Sequence, residues 1–197
     1  MTALAYGWRN FRANMRPMLI VVLVPVLVQL GVALAGRALI HSVAKWFLFQ
    51  VVAIIAGAAA GIGVPRLALM ISAGEDPDVG RAFRSERWGA WVAFSVVFGL
   101  LEGVGLVLCV IPGVLFLAFF GLAPYFFLDK EMGIGQALRA SREAVVAGGL
   151  AFPVLLSIVV GALGVVVFFV GVFVTQAIAA LALAYLYRCA TGQPVDA

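Results

Sequence analysis

Between Trp88 and Leu128 only one residue, Glu102, carries a formal charge. As a single helix this run would rise about 60 Å, twice the roughly 30 Å of hydrocarbon in a bilayer. Ile111-Pro112-Gly113 lies within it. Arg81, Arg84 and Arg87 precede the run, and Lys130, Arg139 and Arg142 follow it. Lys and Arg concentrate in loops on the cytoplasmic side of a membrane. An even number of crossings therefore separates the two clusters. Pro112 is expected to open the returning helix, where its missing N–H costs little.

The same arithmetic organises the rest of the chain. Pro17 to Gly36 supplies one crossing and Trp46 to Ser72 a second, bent where Pro65 removes a backbone donor. No charge occurs from Ala144 to Tyr187, so that stretch folds back once, with its turn between Gly161 and Gly171. The expectation is an all-α integral membrane fold with six transmembrane helices in three hairpins and both termini cytoplasmic. Of thirteen Lys and Arg, only Arg37 and Lys45 then fall outside. The chain is 65% hydrophobic and 11% charged, against roughly 25% charge in soluble domains. Its 197 residues make one membrane domain, 1–197, with no room for a soluble catalytic module. The net charge of +4 reads as a topology signal, and no nucleic-acid partner is expected. Arg9, Arg12 and Arg16 before an apolar run ending Ala33-Leu-Ala-Gly36 imitate a signal peptide, but the basic leader is long and helical in pattern, so the segment is expected to be retained.

Two cytoplasmic segments match. "GRAFRSER" (80–87) and "GQALRASR" (135–142) both read Gly-x-Ala-(Phe/Leu)-Arg-x-x-Arg, each ahead of a pair of spans. In the second, Ile134, Ala137, Leu138, Ser141 and Val145 share one helical face. In the first, Val79, Ala82 and Phe83 repeat the pattern behind Asp78, a candidate N-cap. Near the N-terminus, Leu4, Trp8, Phe11 and Met15 oppose Arg9, Asn10 and Arg12. Each is expected to be a short amphipathic helix in the membrane interface preceding a hairpin. The chain then divides into units 1–73, 78–128 and 133–189. Either duplication or convergent helix-entry chemistry accounts for an eight-residue match.

Chemistry is sparse. His41 stands alone in the expected outer loop, Cys109 and Cys189 have no metal-ligand spacing and are expected at opposite faces, and no P-loop, G-x-S-x-G or paired-carboxylate pattern occurs. Glu75, Asp76 and Asp78 cap and solvate a turn or form a weak cation site. No metal and no cofactor are expected. Polar residues within the spans are more informative. Glu102 lies about 20 Å along its helix from Trp88, and Gln29, Gln50, Thr175 and Gln176 are expected in the same outer half. These five form a candidate ligand-binding cluster, because an intramembrane carboxylate is a functional hypothesis by default. The competing reading is hydrogen bonding between helices with the carboxyl uncharged, to Gln29, Gln50 or Gln176. Arg66, close enough to the inner face to snorkel, joins Arg84 and Arg139 as candidate contacts to lipid headgroups. Gly57-xxx-Gly61 and Gly99-xxx-Gly103 suit close helix packing, within the chain or with a second copy.

"VIPGVLFLAFFGLAPYFFLDKEMGIGQALRASREAV" (110–145) resembles the central signature of YciC-type uncharacterised bacterial inner-membrane proteins. It is also similar to the membrane domain fused to some glycerophosphodiester phosphodiesterases. The shared features fall on Pro112-Gly113, Asp129, Gly133 and Ala137-Leu138-x-x-Ser141, and "YGWRNFRAN" and "ALAYLYRCATG" are similar too. The resemblance implies a six-span fold in a bacterial cytoplasmic membrane and supplies no reaction, since the phosphodiesterase activity belongs to a separate soluble domain.

The expected function is that of a non-enzymatic membrane protein that binds or helps move a lipid or small amphiphile, or assists a transport partner. The alternative is a structural or interaction protein packing a partner, a second copy or another membrane protein, through small-residue helix faces. An intramembrane enzyme built on Glu102 and His41 would lack enough titratable groups for a base, a nucleophile and an oxyanion site.

Overall fold

A computed structural model describes residues 2–39, 43–108, 110–163 and 168–195. The helices are α1 (Ala3–Ala13), α2 (Met15–Leu39), α3 (Val43–Ala60), α4 (Gly63–Ser72), α5 (Val79–Phe83), α6 (Trp88–Leu108), α7 (Val110–Phe120), α8 (Ala123–Asp129), α9 (Ile134–Ala147), α10 (Ala151–Leu163) and α11 (Phe168–Thr191). No strand occurs among the described residues. Five stretches of these residues are long and apolar enough to cross a membrane: Met15–Gly36, Phe49–Ser72, Trp88–Gly105, Pro112–Asp129 and Phe173–Thr191. A sixth is added if α9 and α10, bent by 114° where they join, count as one. This is a multi-pass membrane protein.

The bend between α9 and α10 differs from a span beginning at Ala144. Helix α9 continues to Ala147 and stops at Gly148-Gly149, where Gly149 takes φ +62, a conformation glycine adopts without strain. Leu150 N–H then returns to Val145 O at 2.9 Å. The buried face of α9 is Ala137, Ser141 and Val145, three of the five positions read from its period. Gln136 Oε1 accepts from Gly133 N–H at 3.1 Å and ties down the helix start.

Helix α11 is the most buried span and α6 the least. Leu181, Ala184 and Tyr187 of α11 join a core with Leu67 and Ile71 of α4, Phe94 of α6, Phe126 of α8 and Val145 of α9. In contrast, Leu27, Leu30 and Leu34 of α2, Ile54 and Ile55 of α3, and Leu100 and Val104 of α6 are exposed, as spans facing hydrocarbon require. Helix α6 packs on α7: a Cβ added to Gly105 would lie 3.1 Å from Gly113 Cα, and the Phe98 and Phe116 rings meet at 5.1 Å. Pro112 is in the first turn of α7, and Cys109, between α6 and α7, lies outside the described residues. Residues 164–167, within the stretch where the last turn was expected, and His41 also lie outside them.

Two amphipathic segments depart from expectation. In α1 the buried residues are Tyr6, Gly7 and Phe11, while Trp8 and Met15 are exposed. Gly7 sets this: a Cβ there would stand 2.5 Å from Ile178 O, so the α1 backbone lies directly on α11. Tyr6 then packs against the Tyr185 ring at 4.7 Å. Asp78 caps α5 as read, its carboxylate accepting from Gly80 and Arg81 N–H. But α5 ends at Phe83, and Arg84 is extended. Ser85 Oγ takes the Arg87 N–H, a local side-chain bond that competes with helix and prepares the start of α6. The eight matched residues are thus wholly helical at 135–142 and helical only through Phe83 at 80–87.

Candidate functional site

Two spans are broken, each by a proline acting on the carbonyl four residues before it. Pro65 opposes Gly61, and α3 stops at Ala60; Pro124 opposes Phe120, the last residue of α7. The bend expected at Pro65 therefore falls upstream, at Gly61-Ile62. Both sites read Gly-(Ile/Leu)-(Gly/Ala) shortly before the proline.

Breaking a helix inside a membrane frees carbonyls that lipid cannot satisfy. At the first break Ile62 N–H turns to Ala59 O, and Ala58 O instead accepts from Trp91 Nε1 of α6 at 2.8 Å. At the second, Phe119 O accepts from Ser141 Oγ of α9 at 2.9 Å. A residue of a neighbouring helix thus closes each break.

Both breaks line one cavity of 480 Å³. Gly61, Val64 and Pro65 contribute from the first and Gly121, Pro124 and Tyr125 from the second. Trp91 and Glu102 of α6, Ile158 and Gly161 of α10, and Gln176 and Ala180 of α11 complete the wall. Small residues let the helices close tightly around the cavity: a Cβ on Gly121 would meet Val154 Cγ1 at 2.9 Å, and one on Gly161 would meet Ala179 Cβ at 3.1 Å. The Trp91 indole is spent on Ala58 O, and Tyr125 Oη donates to Ala180 O at 2.8 Å. Glu102 and Gln176 are the polar side chains left to address the interior. No hydrogen bond or ion pair to the Glu102 carboxylate is formed among the described residues.

The cluster read from the sequence is therefore divided. Glu102 and Gln176 share the cavity. Thr175 Oγ1, one residue away, donates to Gly171 O at 3.0 Å and lies 3.2 Å from Gly161 O. Gln29 is elsewhere, its Nε2 donating to Ala53 O across α2 and α3 at 3.1 Å, over Gly57. Gln50 is exposed on α3. Arg66 and Arg84 come together, Arg66 Nη1 donating to Arg84 O at 2.6 Å, whereas Arg139 is exposed on α9. Among the described residues, no group of three His, Cys, Asp or Glu stands where it could hold a metal ion, and Cys189 is a free, exposed thiol.

Trp91, Ser141 and the paired breaks were missed in the sequence, although the Gly/Pro interruption at 61–65 and again at 121–124 was there to be compared. Interrupted spans at corresponding places are a pointer to transporter-type binding sites. Compared with protein-family models, curated proteins and solved structures, the chain matches none.

Proposed function

We propose that this chain is a non-enzymatic protein of a bacterial cytoplasmic membrane that binds, or helps move, a lipid or small amphiphile. The observation that carries the reading is the 480 Å³ cavity between two broken spans, with Glu102 and Gln176 on its wall. Its lining is otherwise apolar, which suits a hydrocarbon tail. The free carboxylate suits a proton, a basic headgroup or a hydroxyl. The proposal keeps six crossings in three hairpins with both termini cytoplasmic, and keeps the kinship with YciC-type membrane proteins that residues 110–145 suggest. The test is native mass spectrometry of the protein released from mild detergent. A copurifying amphiphile retained by wild type and lost in Glu102→Gln, with unchanged helicity, is the expected outcome. Equal retention by both proteins, or none by either, would remove the reading.

One observation favours the alternative, an interaction protein. Beside the α6 glycines Gly99 and Gly103, an added Cβ would meet nothing within 4 Å, and Leu100 between them is exposed. That G-x-x-x-G face is open to a second copy or another membrane protein. Under this reading Gly99→Leu with Gly103→Leu converts an oligomer to a monomer while leaving amphiphile retention intact.

A further inference from the structure

Where α4, α5, α8 and α11 meet at one end of the bundle, a recess of 560 Å³ is lined by Arg66, Arg81, Arg84 and Arg188, with Glu75 and Asp129. Four guanidiniums thus face two carboxylates, and both carboxylates are engaged. Glu75 pairs with Arg81 at 3.1 Å. Asp129 accepts from Tyr187 Oη and from Gln193 Nε2, and stands 3.7 Å from Lys130 Nζ. Among the described residues, Arg66, Arg84 and Arg188 have no carboxylate partner.

Arg188 makes this a built site. It is only 8% exposed, and it donates solely to neutral oxygens: Nε to Ser72 Oγ at 2.7 Å, Nη1 to Pro194 O and Nη2 to Leu69 O at 3.3 Å each. A guanidinium has five N–H donors, so these bonds hold its orientation without using its capacity. Burying such a charge without a counter-charge is costly. Arg66 is held as well, its Nη1 on Arg84 O. An adjoining recess of 410 Å³ shares Arg66 and Arg84 and adds Arg87, whose Nη1 is buried without a hydrogen-bond partner above the Phe127 ring. Glu86 and Glu131 also line that recess, and neither ion-pairs with these arginines.

We infer that this recess is an anion site for a phosphate group, belonging to a lipid headgroup or to a soluble phosphate compound, with Arg66, Arg84 and Arg188 as donors. Forked guanidiniums converging from separate elements match the several oxygens and the charge of a phosphate better than one carboxylate does. Leu69, Met70 and Leu128 give the recess an apolar wall for the remainder of the ligand. The site stands on its own arginines and does not depend on the Glu102 cavity.

The test uses the full chain in phosphatidylcholine nanodiscs, with inorganic phosphate titrated by ³¹P NMR, and in parallel nanodiscs doped with phosphatidylglycerol, with lipid retention read by native mass spectrometry. Wild type is expected to bind at least one probe saturably. Arg84→Gln and Arg66→Gln should each weaken that binding about tenfold, the loss of one charge-assisted hydrogen bond. Arg84→Lys should recover part of it, and Arg139→Gln should bind as wild type. Binding of inorganic phosphate identifies a soluble ligand, and retention of phosphatidylglycerol alone identifies a headgroup. No saturable binding of either probe overturns the inference. So does an equal loss in Arg139→Gln, which would reveal general attraction to a basic surface.

Discussion

Arg188 Nε donates to Ser72 Oγ at 2.7 Å, so the last helix is fastened to the end of the second span across 116 residues of chain. Ser72 is fully buried and its hydroxyl also donates to Leu69 O, the carbonyl that Arg188 Nη2 reaches. One hydroxyl therefore serves a helix end and a buried cation together. Ser72→Ala should destabilise the fold by about 1.5–3 kcal/mol, as expected for a hydrogen bond to a charged group, read from equilibrium unfolding in detergent. A change within about 0.5 kcal/mol, the range of ordinary surface substitutions, would mean that the guanidinium is satisfied elsewhere.

The helix breaks give a paired prediction. Trp91→Phe keeps an aromatic ring beside Phe94 and Phe127 but removes the donor to Ala58 O. Ser141→Ala removes the donor to Phe119 O with little loss of volume. Each should cost about 1–2 kcal/mol by stranding a carbonyl inside the bundle. Amide hydrogen exchange should rise locally, at 58–62 in the first variant and at 119–123 in the second. Exchange spread evenly over the chain would indicate that the breaks are not closed by these two side chains.

Gly7→Ala tests the seat of α1. Its Cβ would stand 2.5 Å from Ile178 O, a backbone atom that cannot swing aside. The substitution should cost about 1–3 kcal/mol by overpacking and should free α1 for proteolysis in nanodiscs. Protection equal to wild type would place α1 off α11.

Glu102→Leu should leave stability within about 0.5 kcal/mol, since no partner of the carboxylate is stranded among the described residues. A larger loss on unfolding would show that Glu102 is a packing group bonded between helices, the reading in which it serves the fold rather than a ligand.

Orientation is checked by labelling. Single cysteines at Ala38 and Ser85, in a background lacking Cys109 and Cys189, should react with an impermeant thiol reagent from opposite sides of intact cells. Reaction of both from outside would overturn the arrangement with cytoplasmic termini.

The positions of five spans were legible in the sequence because charge and apolar length are read by the membrane in the same terms; the crossing expected from Ala144 was not, since α10 has only thirteen residues beyond the Gly148-Gly149 bend. The Asp78 cap and the Ala137-Ser141-Val145 face were legible too, since both belong to segments bordered by water, where polarity separates inside from outside. The α1 face was not. Leu4, Trp8, Phe11 and Met15 were read as a face toward the membrane interface, yet lipid and protein interior are equally apolar, and close approach at Gly7 buries Tyr6, Gly7 and Phe11 instead. The Glu102–Gln176 cavity was half legible: the polar residues stood out, but the space between them exists because two prolines act one turn upstream. Arg188 read as an ordinary cation ending a span, and nothing local showed that Ser72 would draw it into the core.

The donors that close the two breaks bear on biosynthesis. The first half-spans on the carboxyl side, α4 with ten residues and α8 with seven, are each too short to be held in a bilayer alone, where about 20 residues are needed. Each must enter joined to its predecessor, with the open carbonyl still unpaired. Chains emerge from the ribosome N-terminus first. Trp91 lies on α6, the first spanning helix made after the Gly61 break, and Ser141 lies on α9, the first helix made after α8. The exposed state at each break therefore lasts only until the next such helix has been synthesised, and the order of translation is also the order in which the backbone becomes safe in lipid.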